Sequence, residues 1–301
     1  MKPLIAAAIA AVAILIPSGA DAAEGAFSSK IKGNGKKIIE NRQSAMRFEK
    51  ISVSNCIYLT ISDRRDGDIY VRTDENLMPY VNMEVRDGVF RAWFEHSQVV
   101  EGDLRIEVDM PYNGQIRDIS VSGASSVNII PTLEAGEVEL TATGASHITA
   151  NIRANSAEVD LMGASVAKLN IEAVNLEFSA SGASALNILS ANCRECEMDI
   201  TGASKVTATL TASNCECDAS GASKISLTGS AHNAEFDISG ASKLSASDFV
   251  TDICDIEASG ASAAYVNCTT TLKAESSGAS KIGYSGDCRV NISSDSVFKQ
   301  K

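Results

Sequence analysis

The tripeptide Gly-Ala-Ser recurs nine times, opening at Gly123, Gly144, Gly163, Gly182, Gly202, Gly221, Gly240, Gly260 and Gly278. Successive copies lie 18 to 21 residues apart. A near-constant period of that length points to stacked units, each in contact mainly with its neighbours. Counting from the glycine, positions −6, −4, −2, +4 and +6 are apolar in nearly every copy. Around Gly221 they are Cys215, Cys217, Ala219, Ile225 and Leu227. A step of two places alternate side chains on one face of a strand, whereas a helix would step by 3.6. Each repeat therefore predicts two short strands, joined at a Gly-Ala-Ser corner, with a looser second corner near −9. The expected fold is all-β, a parallel β-helix of about 19–20 residues per repeat. Rungs about 4.8 Å apart would carry the nine corners over roughly 40 Å.

Glycine suits the corner because it accepts positive φ and lets backbone pass close by. Alanine at +1 is small enough for a bend. Serine at +2 forms a nine-deep ladder, from Ser125 to Ser280, that can bond along the stack or back to the corner backbone. The outward positions carry charge. Position −5 holds Glu139, Glu158, Glu177, Glu197, Glu216, Glu235 and Asp255, ending at Lys273. Position −3 includes Asp160, Asp199, Asp218, Asp237, Glu257 and Glu275. Like charges at that spacing repel by ~0.9 kcal/mol in bulk water. The face must be solvated, bind divalent cations, or meet a basic partner. Position +3 holds Lys205, Lys224, Lys243 and Lys281, each in a repeat with an acid at −3, which suggests pairing around the corner. Candidate binding residues are thus Glu197, Glu216, Glu235, Asp199, Asp218 and Asp237, with Lys205, Lys224 and Lys243.

The N-terminus is of another kind. Met1 to Ala22 reads as a secretory signal peptide: Lys2, an apolar run from Leu4 to Ile16, then Ala20-Asp21-Ala22 as a small-x-small cleavage site. That run is shorter than the ~20 residues needed to span a bilayer. No later segment is long and apolar enough to span. Residues 23–117 are expected to form a β-rich segment, supplying first rungs and a cap, and 118–301 the repeat β-helix. Strands are expected at Phe48–Val53, Ile57–Ile61, Ile69–Arg72, Val89–Phe94 and Leu104–Val108. Asp87-Gly88 marks a hairpin turn, and Glu75–Tyr80 could be a helical turn. A solenoid needs such a cap because its first rung otherwise leaves an open edge. With 26 Lys and Arg against 38 Asp and Glu, the net charge of −12 is wrong for nucleic acid, whose phosphates demand a basic surface.

Eight cysteines in an exported chain suggest disulfides, with inert buried thiols as the other reading. Cys196 and Cys215 share the −6 column in adjacent repeats, at a spacing compatible with a bridge. The cluster Cys193, Cys196, Cys215 and Cys217 has a superficial likeness to a zinc set, but several of its sulfurs should point into a packed interior. His96, His147 and His232 are scattered, and no nucleophile elbow appears. Acids repeated uniformly are more often structural than catalytic. No catalytic residue, metal or cofactor is assigned.

The blocks Arg47–Val53, Asp74-Glu75-Asn76-Leu77, Val85-Arg86-Asp87-Gly88, and Pro111 leading to Ile119–Ser125 resemble the head-GIN-domain family of autotransporter-type adhesins. The likeness covers roughly residues 30 to 290. It implies a right-handed parallel β-helix with pectin-lyase-like stacking, no recognised catalytic residues, and export to the periplasm, the outer membrane surface or the medium. The many cysteines and uniform corners depart from the family pattern. The expected function is non-enzymatic adhesion, with a glycan or a surface protein as partner. A polysaccharide-active enzyme on the same scaffold and a ligand-free spacer are the alternatives.

Overall fold

The structure, a computed structural model, describes residues 31–43, 47–95, 104–294 and 296–300. The expected signal peptide and His96 lie outside them. About 70% of the chain is strand, wound into a β-solenoid of about 10 turns with about 19 residues per turn. The described residues hold no α-helix; a 3-10 turn at Met78–Tyr80 lies within the segment expected to be helical.

The head comprises β1 (Lys37–Gln43), β2 (Lys50–Ser54), β3 (Ile57–Ser62), β4 (Asp68–Asp74), β5 (Val81–Arg86), β6 (Val89–Phe94), β7 (Ile106–Pro111) and β8 (Asp118–Val121). The repeats follow as β9 (Ser126–Ala142), β10 (His147–Leu161), β11 (Val166–Ala180), β12 (Ala185–Asn192) and β13 (Glu195–Ile200). Next come β14 (Lys205–Ala219), β15 (Lys224–Ile238), β16 (Lys243–Ala258) and β17 (Ala263–Ser276). The end is built from β18 (Lys281–Ser285), β19 (Arg289–Ile292) and β20 (Val297–Lys299). Neighbouring rungs pair in parallel, and equivalent repeat positions face one another: Cys215 opposite Ala234, Asp218 opposite Asp237, Lys224 opposite Lys243.

The Gly-Ala-Ser corner is dictated by contacts along the stack. Every one of its glycines has φ between 65° and 80°. A Cβ on Gly202 or Gly221 would stand 2.5 Å from the carbonyl oxygen of the glycine one rung below. The N–H of Ala222 donates to Gly202 O at 2.7 Å, and that of Lys224 to Ser204 O at 2.9 Å. Serine Oγ mostly turns back within its own corner: Ser223 Oγ donates to Ser220 O at 2.8 Å and Ser204 Oγ to Thr201 O at 2.8 Å. Ser262 Oγ instead reaches Ile238 O, 3.0 Å away along the stack. The serines are buried and the alanines exposed, so alanine's size is not what the bend requires.

The second corner differs from expectation. Most rungs run as one bent strand of 14 to 17 residues from one Gly-Ala-Ser to the next. Parallel neighbours keep their ladder hydrogen bonds through the bend, and the irregularity is absorbed as register shifts, for example between Ser226 and Thr228. Among the described repeats, the turn at Cys193-Arg194 separates β12 from β13, and residues 286–288 separate β18 from β19 in the last rung.

The head does not stack in chain order. Strand β2 pairs in parallel with both β6 and β8, and β3 with both β7 and β9. The rung β2–β3 is therefore flanked by a rung made later, β6–β7, and by the start of the repeats. Strands β4 and β5 then turn antiparallel onto β7 and β6, and β1 covers β4. Asp87 and Gly88, with φ of 53° and 74°, form the expected hairpin turn between β5 and β6. The corner of the β2–β3 rung is Asn55-Cys56, both at positive φ. A Cβ on Gly123 would sit 3.1 Å from Asn55 N, and Ile57 N–H donates to Ser125 Oγ at 3.3 Å. Asn55-Cys56-Ile57 thus takes the place of Gly-Ala-Ser in the ladder.

The inward columns form one continuous core. In the −4 column Phe178, Met198, Cys217, Phe236 and Ile256 follow one another, all fully buried, with the small cysteine between two large side chains. All eight cysteines are free thiols, which corrects the expected bridges. Cys196 and Cys215 are register partners, yet both point into the packed interior and serve as small apolar side chains.

Candidate functional site

The two acidic columns lie side by side on one sheet face. Register joins Glu139, Glu158, Glu177, Glu197, Glu216, Glu235, Asp255 and Lys273 rung by rung. Asp199, Asp218, Asp237, Glu257 and Glu275 are joined in the same way. Strand alternation turns these side chains outward while the −6, −4 and −2 residues fill the core.

A trench of about 630 Å³ runs along the stack between the −3 acids and the corner ridge. Its acidic wall is Asp199, Asp218, Asp237, Glu257 and Glu275; its opposite wall is Thr201, Ser220, Ser239, Ser259 and Ser277. The −1 hydroxyls were not singled out from the sequence, although eight of the nine −1 positions are Ser or Thr. That regularity was the available signal. A smaller groove of about 360 Å³ lies on the other side, lined by Glu197, Glu216, Glu235 and Asp255 with Asn214 and Asn233. Here Asn233 Nδ2 donates to Asn214 Oδ1, and Asn214 Nδ2 to Glu195 Oε2, both at 2.8 Å.

Partial burial, reinforced by neighbouring carboxylates, holds Glu139, Glu158, Glu197, Glu216 and Asp218 above their ordinary values. The raised groups are spread over several rungs and both columns rather than gathered at one point. An acid–base pair would instead show two carboxylates pushed apart by different surroundings. At the C-terminal end Lys273 relieves the column, its Nζ 3.0 Å from Asp255, 3.4 Å from Glu275 and 3.9 Å from Glu257.

The lysines do not join this site. Lys205, Lys224 and Lys243 stack in register on the adjoining face, across the corner from the acids. Among the described residues, the ion pairs within 4.0 Å include none from Lys205, Lys224, Lys243 or Lys281 to its −3 acid; Lys243 Nζ lies 5.7 Å from the Tyr265 ring centroid. The corner turns the +3 side chain away from −3, which overturns the expected pairing. His147 shares this column, in register with Val166. His232 Nδ1 lies 2.8 Å from Asp252 Oδ2 at the exposed second corner.

Among the described residues, no three or more His, Cys, Asp or Glu side chains are arranged to hold a metal ion. The thiols of Cys217 and Cys254 are pushed up by burial, and that of Cys193 by its hydrogen bond with Cys196 and then by burial. Thiols so shifted are poor nucleophiles. No helix of the described residues is long and apolar enough to cross a membrane.

Known proteins of similar shape include a putative adhesin from Parabacteroides merdae, 18% identical, with a TM-score of 0.56 over 90% of this chain and 99% of that one. A second, from Parabacteroides distasonis, is 22% identical, with a TM-score of 0.53 over 90% of this chain and 100% of that one. At these identities the likeness concerns the fold. No curated protein matches the sequence. The family model described as "Putative auto-transporter adhesin, head GIN domain" matches residues 47–212 and 191–288. These two matches together span the head and nearly all the repeats, and the chain belongs to that family.

Proposed function

We propose that the protein is a non-enzymatic, exported adhesin-like binding protein that holds an extended, hydroxyl-rich glycan along its acidic face. The trench of about 630 Å³, repeating one carboxylate and one hydroxyl per rung from Asp199 and Thr201 to Glu275 and Ser277, carries this reading. Carboxylates accept hydrogen bonds from sugar hydroxyls, and Ser or Thr hydroxyls both donate and accept. A groove open along the stack suits a polymer better than a small molecule enclosed on all sides. Membership of an adhesin family agrees with it.

The test is a screen of the purified chain against neutral and acidic glycans and against matrix proteins. It is repeated with the triple variant Asp199→Asn, Asp218→Asn, Asp237→Asn. Neutral-glycan binding weakened at least tenfold in the variant, at an unchanged or higher melting temperature, is the expected result. Binding only to a protein ligand, or glycan binding that the variant leaves intact, would overturn the proposal. So would depolymerisation of the bound glycan.

A further inference from the structure

We infer that the opposite side of the Gly-Ala-Ser ridge carries a second site, for a carboxylated glycan, anchored in the head by Tyr58, Arg72 and Arg105. Between Ser126 and Gly283 the outward +3 and +5 positions of this face contain no carboxylate at all. They hold Lys168, Lys205, Lys224, Lys243 and Lys281. In a chain of net charge −12 this is a separated positive face, not an average surface.

At the head end the face opens into a depression of about 740 Å³ lined by, among others, Ile39, Tyr58, Arg72, Arg105, Glu107 and Asn128. Apart from Arg105, which immediately precedes β7, these residues belong to five adjacent strands, β1, β4, β7, β3 and β9, whose pairing lays their outward side chains side by side. Tyr58 stands directly in the lysine column: it pairs with Ser126, which pairs with His147. Tyr58 and Ile39, 39% and 57% exposed, flank Glu107 and Arg72, which lie between them in the strand register.

Beside them Arg105 Nε lies 2.6 Å from Glu107 Oε1, and Arg72 Nη1 lies 3.7 Å from Glu107 Oε2. Two guanidinium groups share one carboxylate, so donors remain for a second. The neighbouring wall is already satisfied: Arg64 bonds Asp66 and Asp109 and lies 4.6 Å from the Tyr70 ring centroid. A sugar ring stacked on Tyr58, the register neighbour of Glu107, turns its carboxylate toward the Arg72 and Arg105 guanidinium groups, whose planar donors bind a carboxylate bidentately. Further acidic sugars then follow the lysines along the repeats. Neither the position nor the ligand charge is shared with the acidic trench.

The experiment uses the full chain and galacturonate oligosaccharides, with galactose oligosaccharides of equal length as the uncharged probe. Calorimetry is expected to show binding of the acidic oligomers only, weakening as salt rises. Arg72→Gln with Arg105→Gln, or Tyr58→Ala alone, should each reduce affinity at least tenfold. Lys205→Gln, Lys224→Gln and Lys243→Gln together should weaken long oligomers while sparing trimers. Each variant's melting curve is recorded, and saturation-transfer NMR on the trimer gives a second readout for any variant of lowered stability. Equal binding of the neutral probe, no binding of the acidic one, or loss only in the Asp199/Asp218/Asp237 variant would overturn the assignment. Failure of the acidic-trench proposal leaves this one standing, because the two differ in probe charge and in variants.

Discussion

Two constraints meet on one missing atom at Gly221. Its φ of 78° is a conformation in which any other side chain is strained, and a Cβ there would press to 2.5 Å against Gly202 O. The opposing group is ladder backbone and cannot swing aside. Gly221→Ala should therefore lower stability by about 1–3 kcal/mol from the backbone conformation alone, more with the clash, as read from urea unfolding. Ser223→Ala should cost about 1 kcal/mol, since it removes a buried donor from Ser220 O. Ala222→Ser, exposed at the same corner, should change stability by less than about 0.5 kcal/mol. Recurrence made the glycine and the serine legible in the sequence, because every rung imposes the same contacts. Asn55-Cys56-Ile57 forms the same corner without any of the three signature residues, and no count of tripeptides could find it. Asparagine tolerates positive φ well enough to serve once at the end of a stack.

Among the elements, the acidic face shows how register turns a pattern into an energy. Glu139, Glu158, Glu197, Glu216 and Asp218 titrate above their ordinary values because burial, and then neighbouring carboxylates, disfavour their charged forms. A carboxyl whose folded-state pKa is raised opposes folding while ionised. That cost is fully present above the folded-state pKa and disappears as pH falls through it towards the unfolded values of 4.5 for Glu and 3.8 for Asp. Acidification from pH 7 to pH 5 should thus raise the melting temperature. Glu216→Gln should start higher at pH 7 and gain less. At lower pH the trend reverses, because Asp74 is held below its ordinary value, chiefly by its hydrogen bond with Lys37, and loses that stabilisation on protonation. A flat profile between pH 7 and pH 5 would show that solvent screens the ladder completely. The columns themselves were readable from the sequence, since strand alternation is local. That the −5 and −3 acids share a face was readable too; where the corner sends the +3 lysines was not. The −3 acids and +3 lysines are six residues apart, but the corner between them sends them to different faces.

For the whole molecule, the repeats and the head obey different rules. Each repeat meets only its neighbours, so stability there should be nearly additive in rungs. In the head, β2 and β3 lie between strands that come later in the chain, so no rung is complete until β8 and β9 are in place. Removing residues after 258 should leave a folded, shorter protein with a modestly lower melting temperature. Removing residues 31–62 should abolish cooperative unfolding of the remainder up to β9. Circular dichroism melts of the two truncations distinguish the cases. The repeat half of the fold was open to inspection because its partners sit one period away. The head was not, because its pairings reach from Ser54 to Trp93 and from Tyr58 to Ser126, with no period to announce them. The same doubling back sets an order in time. A chain emerging N-terminus first presents β2 and β3 long before both their neighbours exist, and the sandwiched rung must wait for about sixty more residues. Once β9 closes over it, every later repeat finds a finished edge to lie on. The slow, aggregation-exposed interval of this protein's biogenesis therefore falls at its beginning, and any chaperone it meets should be needed until β9 is in place rather than after.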